Sequence, residues 1–293
     1  MVVGSCHLDL SLSLPRLPQP GETLLASGVH RGLGGKGANQ AAAAARMGGT
    51  VRLIAPWGAG GDQLRAALEA EGVTPCGPVS EDQPCGSAVI LRSGAQSTIL
   101  VVPGADASLR PEDLDPAWLA GCRVLLVQLE IPERAALRAA QLAKAAGAAV
   151  ILNAAPATEL HPALWDGCLD VLVVNRTEAA QLAGLAPTAR PEQLLAALRG
   201  LAPSLVITLG PEGLIWTEGE GPRYLGGIAV QAVDSTAAGD AFCGVLAERL
   251  AAGYPAAQAL PWANAAGALA ATRLGAVEAL PDLAALRARM EAG

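Results

Sequence analysis

The sequence predicts an α/β protein with an open, mostly parallel sheet flanked by helices on both faces, and with a small β-sheet lid. From about residue 120 onward, short apolar runs alternate with helix-like segments, a pattern typical of parallel strands buried on both faces. The N-terminal third contains alternating, turn-punctuated stretches instead, which indicate antiparallel strands. The chain has 293 residues, is 52% hydrophobic and only 16% charged, as expected for a well-buried globular protein.

Four mostly apolar runs predict the strands of the main sheet. Each is short and is separated from the next by a helix or a loop. They span Val124–Leu129, Ala149–Leu152, Val171–Val174 and Leu205–Leu209. Between the first two runs, Pro132–Ala146 predicts a helix that ends at Gly147.

The N-terminal third predicts the lid. Alternating stretches at 88–92 and 97–101 are separated by Ser93 and Gly94, so the lid strands are expected within about 9–33 and 86–103. A small β-flap over an α/β body could exclude water from a site. Because no repeat or linker interrupts the chain, residues 1–293 are predicted to form a single domain.

Composition excludes several classes of function. The net charge of −7 and the lack of a dense Lys/Arg run argue against nucleic-acid binding. No run of 18 apolar residues and no basic N-terminal region occur, so neither a membrane span nor a signal peptide is expected. The six cysteines are scattered without C-x-x-C spacing, which indicates buried free thiols in the cytoplasm.

The segment from Val233 to Asp240 is the most informative one. Its small residues Ala237, Ala238 and Gly239 precede a long alanine-rich stretch, and exposed N–H groups at a helix start attract phosphate. Asp240 would lie in the first turn, where a carboxylate could take a proton from a hydroxyl. Capping of the helix by Asp240 is the alternative interpretation.

A second glycine-rich segment runs from Gly34 to Gln40. It has neither the Walker A spacing nor the G-x-G-x-x-G pattern of dinucleotide sites, and no acidic residue follows at the distance a dehydrogenase needs. Lys36 and Asn39 would supply polar groups at a helix start, and Lys36 is one of only two lysines in the chain. A purely structural glycine turn is the alternative.

Polar residues follow strand after strand. The carboxyl ends of neighbouring parallel strands meet at one sheet edge, where ligands bind in open α/β proteins. Asp9 is expected just past the first strand, although an Asp there could simply cap a turn. The others are Glu130, Asn175, Glu178 and Thr208.

Taken together, these segments resemble ribokinases of the PfkB carbohydrate kinase family over essentially the full length. The two motifs are Gly34-Gly35-Lys36-Gly37-Ala38-Asn39-Gln40 and Asp234-Ser235-Thr236-Ala237-Ala238-Gly239-Asp240. The intervening segments Gln128–Glu130, Leu152–Ala157 and Asn175–Glu178 stand in the expected order and at similar spacing.

The resemblance implies a role for each matching residue. Asp240 would be the general base, and the Ala237, Ala238 and Gly239 amides would form the anion hole. The residues that would bind the sugar are His7, Asp9, Gly35, Lys36, Gly37, Ala38, Asn39, Glu130 and Asp240. The residues that would bind ATP and its Mg²⁺ are Asn175, Glu178, Thr208, Gly210, Gly213, Gly239 and Asn264.

The resemblance also implies a monovalent cation, K⁺, and a homodimer formed through the lids. The cation ligands would be Asp234 and groups at Thr236, Ala270, Arg273 and Gly275. Two residues depart from the family pattern. His7 replaces a usual Asn in the sugar-binding segment, and Ala279 replaces a Ser that helps bind the cation.

The function expected from this resemblance is ATP-dependent phosphorylation of a sugar, with ribose at O5 as the leading substrate. The alternatives are another pentose, a ketohexose, a sugar acid or a nucleoside, the last being disfavoured because Gly34–Gln40 follows the ribokinase form throughout. A catalytically silent sugar- or nucleotide-binding regulator is a third alternative, and the intact Asp240 and Gly239 argue against it.

Overall fold

A computed structural model describes residues 1–93, 96–157, 160–217 and 221–291. Within these residues, nine strands form a central sheet in the order β15-β14-β13-β12-β11-β10-β1-β4-β6. In chain order they are β1 (Val2–Val3), β4 (Val51–Ile54), β6 (Val73–Cys76), β10 (Val124–Gln128), β11 (Ala149–Asn153), β12 (Val171–Asn175), β13 (Ser204–Thr208), β14 (Gly213–Thr217) and β15 (Pro222–Gly226).

The central sheet is parallel from β6 to β13 and antiparallel only at the β14 and β15 edge. Its middle strands are apolar on both faces because helices cover both. Leu126 and Ile151 face one apolar cluster, and Leu125 and Val150 face the other. This arrangement confirms the predicted fold class.

Helices lie on both faces of this sheet. The helices α1, α2, α6, α7 and α8 contribute to one apolar cluster and α3, α4 and α5 to the other. Their bounds are α1 (Lys36–Arg46), α2 (Gly61–Ala70), α3 (Glu133–Ala145), α4 (Arg176–Ala183), α5 (Pro191–Ala197), α6 (Ala238–Ala251), α7 (Ala256–Ala270) and α8 (Leu283–Glu291). Among the residues described, none of these helices is long and apolar enough to cross a bilayer.

A second, smaller sheet stands apart from the central one. In the described part of the chain it has four strands in the order β3-β2-β8-β9. They are β2 (His7–Ser13), β3 (Gly28–Gly34), β8 (Gly86–Ser93) and β9 (Gln96–Val102), and a separate short pair consists of β5 (Trp57–Ala59) and β7 (Val79–Pro84). The predicted small sheet is therefore present.

Alternation divides the small sheet into two unlike faces. Paired residues share a face, and the pairs Leu8–Ser87, Leu10–Val89 and Leu12–Leu91 place leucines on one side. The pairs of Asp9, Ser11 and Ser13 lie on the other side. We call the leucine-bearing side the outer lid face and the Asp9 side the inner lid face.

The four predicted main-sheet strands correspond to β10, β11, β12 and β13, with ends shifted by no more than one residue. The predicted helix corresponds to α3, and Gly147 beyond it has a φ of 80°. One position is corrected. The first strand ends at Val3, and Asp9 lies inside β2 rather than in a loop after a parallel strand. The cause is that the chain passes directly from the central sheet into the lid.

The six cysteines are unpaired, as expected. The prediction that all of them are buried was wrong. Only Cys6 and Cys243 are buried, and the other four are partly exposed.

Candidate active site

The carboxyl ends of the middle strands carry a row of polar side chains. Gln128 at the end of β10 is in register with Asn153 at the end of β11. Asn175 at the end of β12 is in register with Thr208 at the end of β13. Asn175 and Thr208, two of the residues predicted to meet at one edge of the sheet, therefore lie there side by side.

Helix α6 begins at this edge through a left-handed turn. Ala237, which precedes the helix, has a φ of 57°, a conformation that is uncommon for residues other than glycine. This turn places Asp240 in the first turn of α6, where its side chain is 5% exposed. A buried carboxylate therefore lies in the first turn of α6.

Two of the three amides predicted to bind an anion are open. The Ala238 N–H donates to Ser235 O at 3.2 Å. Among the described residues, the N–H groups of Ala237 and Gly239 donate to no protein atom. Unpaired amides at a helix N-terminus suit a phosphoryl group.

The Asp240 carboxylate is held by two side-chain amides from α1. Asn39 Nδ2 donates to Oδ2 and Gln40 Nε2 donates to Oδ1, both at 2.9 Å. Gln40 also bonds Asn153 Oδ1 at 3.0 Å and accepts from Gln128 Nε2 at 2.6 Å. These bonds compensate for the removal of the carboxylate from water and fix its orientation.

Lys36 is the first residue of α1 and lies among three carboxylates. Burial acts to lower the pKa of Lys36, but the attraction of Asp240, Glu130 and Glu178 outweighs burial and raises that pKa above its usual value. The ammonium group is therefore charged at neutral pH. It lines a pocket together with Asp240.

That pocket brings together the residues predicted for catalysis and for the phosphate end of ATP. Lys36 belongs to this group, although it was predicted to bind the sugar. The predicted residues lining the pocket are Lys36, Asn175, Glu178, Thr208, Ala237, Gly239 and Asp240.

Close backbone packing places the glycine motif beside the first strand. A Cβ at Gly37 would lie 2.6 Å from Ser5 O, so only glycine fits there. The Ala38 N–H donates to Ser5 O at 3.0 Å. Glu130 Oε2 accepts from Ser5 Oγ at 2.5 Å and from the Lys36 N–H at 2.9 Å.

His7 makes a buried contact with a carboxyl group that the sequence did not reveal. Its Nε2 lies 2.9 Å from Oδ2 of Asp106, and the side chains are 3% and 0% exposed. Burial acts to lower the pKa of His7, but the neighbouring carboxylates outweigh burial and raise it. Burial raises the pKa of Asp106 to about 6.

Asp9 lies next to this pair on the inner lid face. Burial raises the pKa of Asp9 to about 6. Its Oδ1 is buried without a hydrogen-bond partner among the described residues, and so is Asn39 Oδ1. Gly34 and Gly35 lie directly against Asp9 and His7. Two acceptors lacking donors are suited to a ligand rich in hydroxyl groups.

Asn175 and Glu178 bind each other at the start of α4. The Glu178 N–H donates to Asn175 Oδ1 at 2.9 Å, and the Asn175 N–H donates to Glu178 Oε2 at 2.8 Å. This capping box positions both side chains at the pocket. Burial raises the pKa of Glu178.

Three predicted nucleotide-binding residues lie outside the pocket lining. Gly210 and Gly213 have φ values of 60° and 98°, and a Cβ at Gly213 would clash with the Leu225 carbonyl. Asn264 Nδ2 donates to Gly226 O at 3.0 Å. Gly213 and Asn264 thus meet at the β14–β15 hairpin, whose two strands form the antiparallel edge of the sheet.

Two of the residues predicted to hold a monovalent cation, Thr236 and Gly275, donate hydrogen bonds to Asp234, a third member of that set. Thr236 donates to Oδ1 of Asp234 through its N–H at 3.0 Å and its hydroxyl at 2.7 Å. The Gly275 N–H donates to Oδ2 at 3.2 Å, and Arg92 Nη1 lies 2.6 Å from the same oxygen. The Ala270 carbonyl accepts from the Arg273 N–H at 3.2 Å.

This donor set does not fit the predicted cation. The Arg92 guanidinium already lies against the Asp234 carboxylate that would bind the cation, and Ala279 has no hydroxyl to offer the cation. Arg92 could not be found from the sequence, because it lies on a lid strand about 140 residues before Asp234. Gln40, in contrast, stood inside the quoted glycine motif and was not assigned a role.

The chain is similar to known sugar kinases over its length. A family model described as "pfkB family carbohydrate kinase" matches residues 1–283. Ribokinase of Haemophilus influenzae is 33% identical over 96% of this chain and 94% of its own. Deoxyribokinase of Salmonella typhi is 34% identical over 84% of this chain and 83% of its own.

Solved structures agree with the sequence comparison. The structure of Arabidopsis thaliana ribokinase complexed with ribose and ATP has a TM-score of 0.86 and 31% identity, and the match covers 98% of this chain and 96% of that one. The matched range includes both glycine motifs and the pocket between them. With a buried carboxylate at a helix start and two open amides beside it, this chain belongs to the pfkB family of carbohydrate kinases.

Proposed function

We propose that this protein is an ATP-dependent ribokinase that transfers the γ-phosphoryl group of ATP to O5 of D-ribose. The observation that carries the proposal is the position of Asp240. Its carboxylate is buried at the start of α6, is fixed by Asn39 and Gln40, and shares a pocket with the Lys36 ammonium.

In this proposal the sugar lies between Asp9 on the lid and the Asn39 and Asp240 side chains on the body. Asp9 Oδ1 and Asn39 Oδ1 are buried without protein donors in the described chain, so they accept sugar hydroxyl groups. Asp240 orients the primary hydroxyl and takes its proton as the O–P bond forms. The bond to the leaving ADP oxygen breaks in the same displacement.

Charge on the transferring phosphoryl group is stabilised by the protein. The open N–H groups of Ala237 and Gly239 and the Lys36 ammonium supply fixed positive charge around the pocket. Such preorganised donors act where charge develops in the transition state. The inner lid face covers the sugar and excludes water, which would otherwise compete for the phosphoryl group.

Mg²⁺ enters with ATP rather than in a preformed cage. Across the described ranges there is no group of three or more Asp, Glu, His or Cys suited to a metal. Magnesium commonly binds through substrate phosphates and one or two carboxylates, and Glu178 in the pocket would be that carboxylate. The ion neutralises phosphate charge when bound.

Potassium is not part of the proposed function, because the Arg92 guanidinium already neutralises the Asp234 carboxylate that would bind it.

A second candidate activity is phosphorylation of 2-deoxyribose. His7 replaces a usual Asn and is fixed by Asp106. An imidazole offers a different donor and acceptor set from an amide, and one of the similar proteins is a deoxyribokinase. A site that lacks a partner for the 2-hydroxyl would accept both sugars.

An ADP-release assay over a panel of sugars tests the substrate. The panel contains D-ribose, 2-deoxyribose, fructose and a nucleoside, at equal concentrations with Mg²⁺ and ATP. We expect the highest kcat/KM for ribose. A higher value for deoxyribose would select the second candidate, and ADP release with fructose or a nucleoside alone would overturn both.

We also propose that the full chain works as one domain and as a homodimer joined through the lids. The outer lid face supports this, because Leu8, Leu100 and Val102 are 42%, 54% and 53% exposed. Large exposed apolar patches mark interaction surfaces.

A cytoplasmic location is part of the proposal and is supported by the six unpaired cysteines.

A further inference from the structure

Asp234 is the only carboxylate in the short loop of residues 233–237 that leads into α6. Its neighbours Ser235, Thr236 and Ala237 set the shape of that loop. Thr236 is fixed by Asp234 Oδ1, and the Ala238 N–H then closes back on Ser235 O. The Asp234 carboxylate therefore stabilises the backbone that presents the open amides of Ala237 and Gly239.

Three hydrogen-bond donors and one cation already surround this carboxylate, which offers about four lone-pair directions. Oδ1 accepts two hydrogen bonds from Thr236, and Oδ2 accepts one from the Gly275 N–H at 3.2 Å. Arg92 Nη1 forms an ion pair with Oδ2 at 2.6 Å. Burial acts to raise the pKa of Asp234, but these donors outweigh burial and lower it. The group is thus an anion already matched by a cation.

Arg92 is well placed for this contact. It is the seventh residue of β8, pairs with Ser13 of β2, and therefore projects from the inner lid face toward the body. The side chains of Arg92 and Asp234 are 17% and 11% exposed. A second cation on the same oxygen would be repelled by the guanidinium at short range.

We propose that the Arg92 guanidinium takes the place of a monovalent cation beside the anion-binding loop, so that this kinase works without potassium. The inference rests on the proposed function. Arg92 is a positioning residue. It neutralises Asp234, holds the loop in shape and adds fixed positive charge next to the open amides. Because the charge comes from a lid strand, the ion pair also ties the lid to the loop.

The test compares potassium chloride with tetramethylammonium chloride at equal ionic strength, which keeps screening constant. We expect the wild-type kcat with ribose to differ less than twofold between the two salts. Arg92→Met removes the charge and keeps an apolar stem. It should lose about tenfold in kcat in tetramethylammonium and regain most of that loss in potassium.

Two further variants separate charge from structure. Arg92→Lys keeps a positive charge and should retain most of the kcat in tetramethylammonium. Lys144→Met is the control, since Lys144 of α3 pairs with Asp170 at 2.9 Å with side chains 36% and 35% exposed, and α3 packs in the apolar cluster on the other face of the sheet from α6. Its activity should not respond to potassium.

A readout independent of turnover is the melting temperature. Potassium should raise the Tm of Arg92→Met, and should not raise that of the wild type or of Lys144→Met. Potassium activation of the wild type as strong as that of Arg92→Met, with equal Tm shifts, would overturn the inference. An absence of ADP release in every salt would instead overturn the proposed function, and the Tm comparison would still decide the role of Arg92.

Discussion

At the scale of single residues, the site consists of carboxylates that are buried for different purposes. Asp240 has both oxygens held by amide donors, which fixes its direction. Asp9 keeps an oxygen without any protein donor in the described chain. Asp106 is fully buried against His7. Desolvation of each group costs free energy unless a partner compensates, so the unpartnered one is the natural acceptor for substrate.

Asp9 predicts a pH dependence of sugar binding. Because burial raises the pKa of Asp9 to about 6, the carboxylate is protonated below that pH and accepts sugar hydroxyls poorly. We expect kcat/KM for ribose to rise with pH through about 6 and to level off near neutrality. Asp9→Asn should lower kcat/KM roughly 10- to 100-fold and abolish this rise.

The control is Asp106→Asn, which should keep the rise. If the rise disappears in Asp106→Asn and survives in Asp9→Asn, it belongs to the buried pair instead. The raised pKa of Asp9 affects the stability of the fold in the opposite direction to its effect on sugar binding. A raised pKa means that the contribution of Asp9 to stability is present below its unfolded value of 3.8 and is lost as the pH increases to about 6.

Among single residues, the sequence predicted those in the two glycine motifs and at the strand ends. Asp240, Lys36 and Asn39 could be found because small residues and polar groups coincide at helix starts. Asp106 and Arg92 could not. Each meets its partner only after the lid folds onto the body, and neither belongs to a recognisable local pattern.

At the scale of elements, two helix starts face each other. Helix α1 brings Asn39 and Gln40, and α6 brings Asp240. Their relative position depends on how closely α1 approaches the first strand. Gly37 lies on the backbone of Ser5, and a Cβ there would be 2.6 Å from Ser5 O and 2.7 Å from Ser5 N. Backbone atoms cannot move away as a side chain can.

We therefore predict that Gly37→Ala lowers the free energy of unfolding by about 1–3 kcal/mol, because the added methyl forces α1 away from the strand. Urea denaturation measures the change. Gly226→Ala is the control, since a Cβ at that position meets nothing within 4 Å, and it should change stability by less than about 0.5 kcal/mol. Equal effects of the two substitutions would contradict the close-packing account.

The elements themselves were largely predictable. Runs such as Val171–Val174 are buried on both faces, and that environment permits only apolar residues. The lid strands were placed only within broad limits, because serines and glycines on the inner face weaken the apolar alternation. The sequence placed Asp9 after a strand rather than inside one because the chain passes directly from the central sheet into the lid.

At the scale of the whole molecule, the lid has an inner face that mixes polar groups with buried apolar ones such as Ile90, and an apolar outer face. The inner face carries Asp9 and Arg92 toward the body, and the outer face carries leucines and valines. Strand β9 also forms an edge of the small sheet among the described residues. Edges and apolar faces left open promote association.

We predict that the protein is a dimer in solution and that Leu10→Glu with Leu100→Glu makes it monomeric. Charges on the outer lid face would be buried without partners in the dimer. Size-exclusion chromatography with light scattering measures the mass. Leu164→Glu is the control, because Leu164 is 50% exposed on the body. A wild-type monomer, or a dimer unaffected by the double substitution, would refute the lid-to-lid arrangement.

The assembly of the molecule is the scale at which sequence reasoning was weakest. The alternation of apolar runs predicted the layers, because each layer leaves a local pattern. The contact between Arg92 on the lid and Asp234 on the body has no such pattern. That contact changes the role expected for the residues around Asp234, which were predicted to bind a monovalent cation.

The most direct test of the account is ADP formation from ATP and D-ribose by the wild type and by Asp240→Asn. Asn has nearly the shape of Asp but can accept from only one of the two amide donors on Asp240, so the variant should lose some stability while it keeps its fold and its ATP affinity. It should lose turnover by roughly 10²–10⁴, since it no longer offers a base to the primary hydroxyl. Near-normal turnover in a folded Asp240→Asn protein would contradict the central claim.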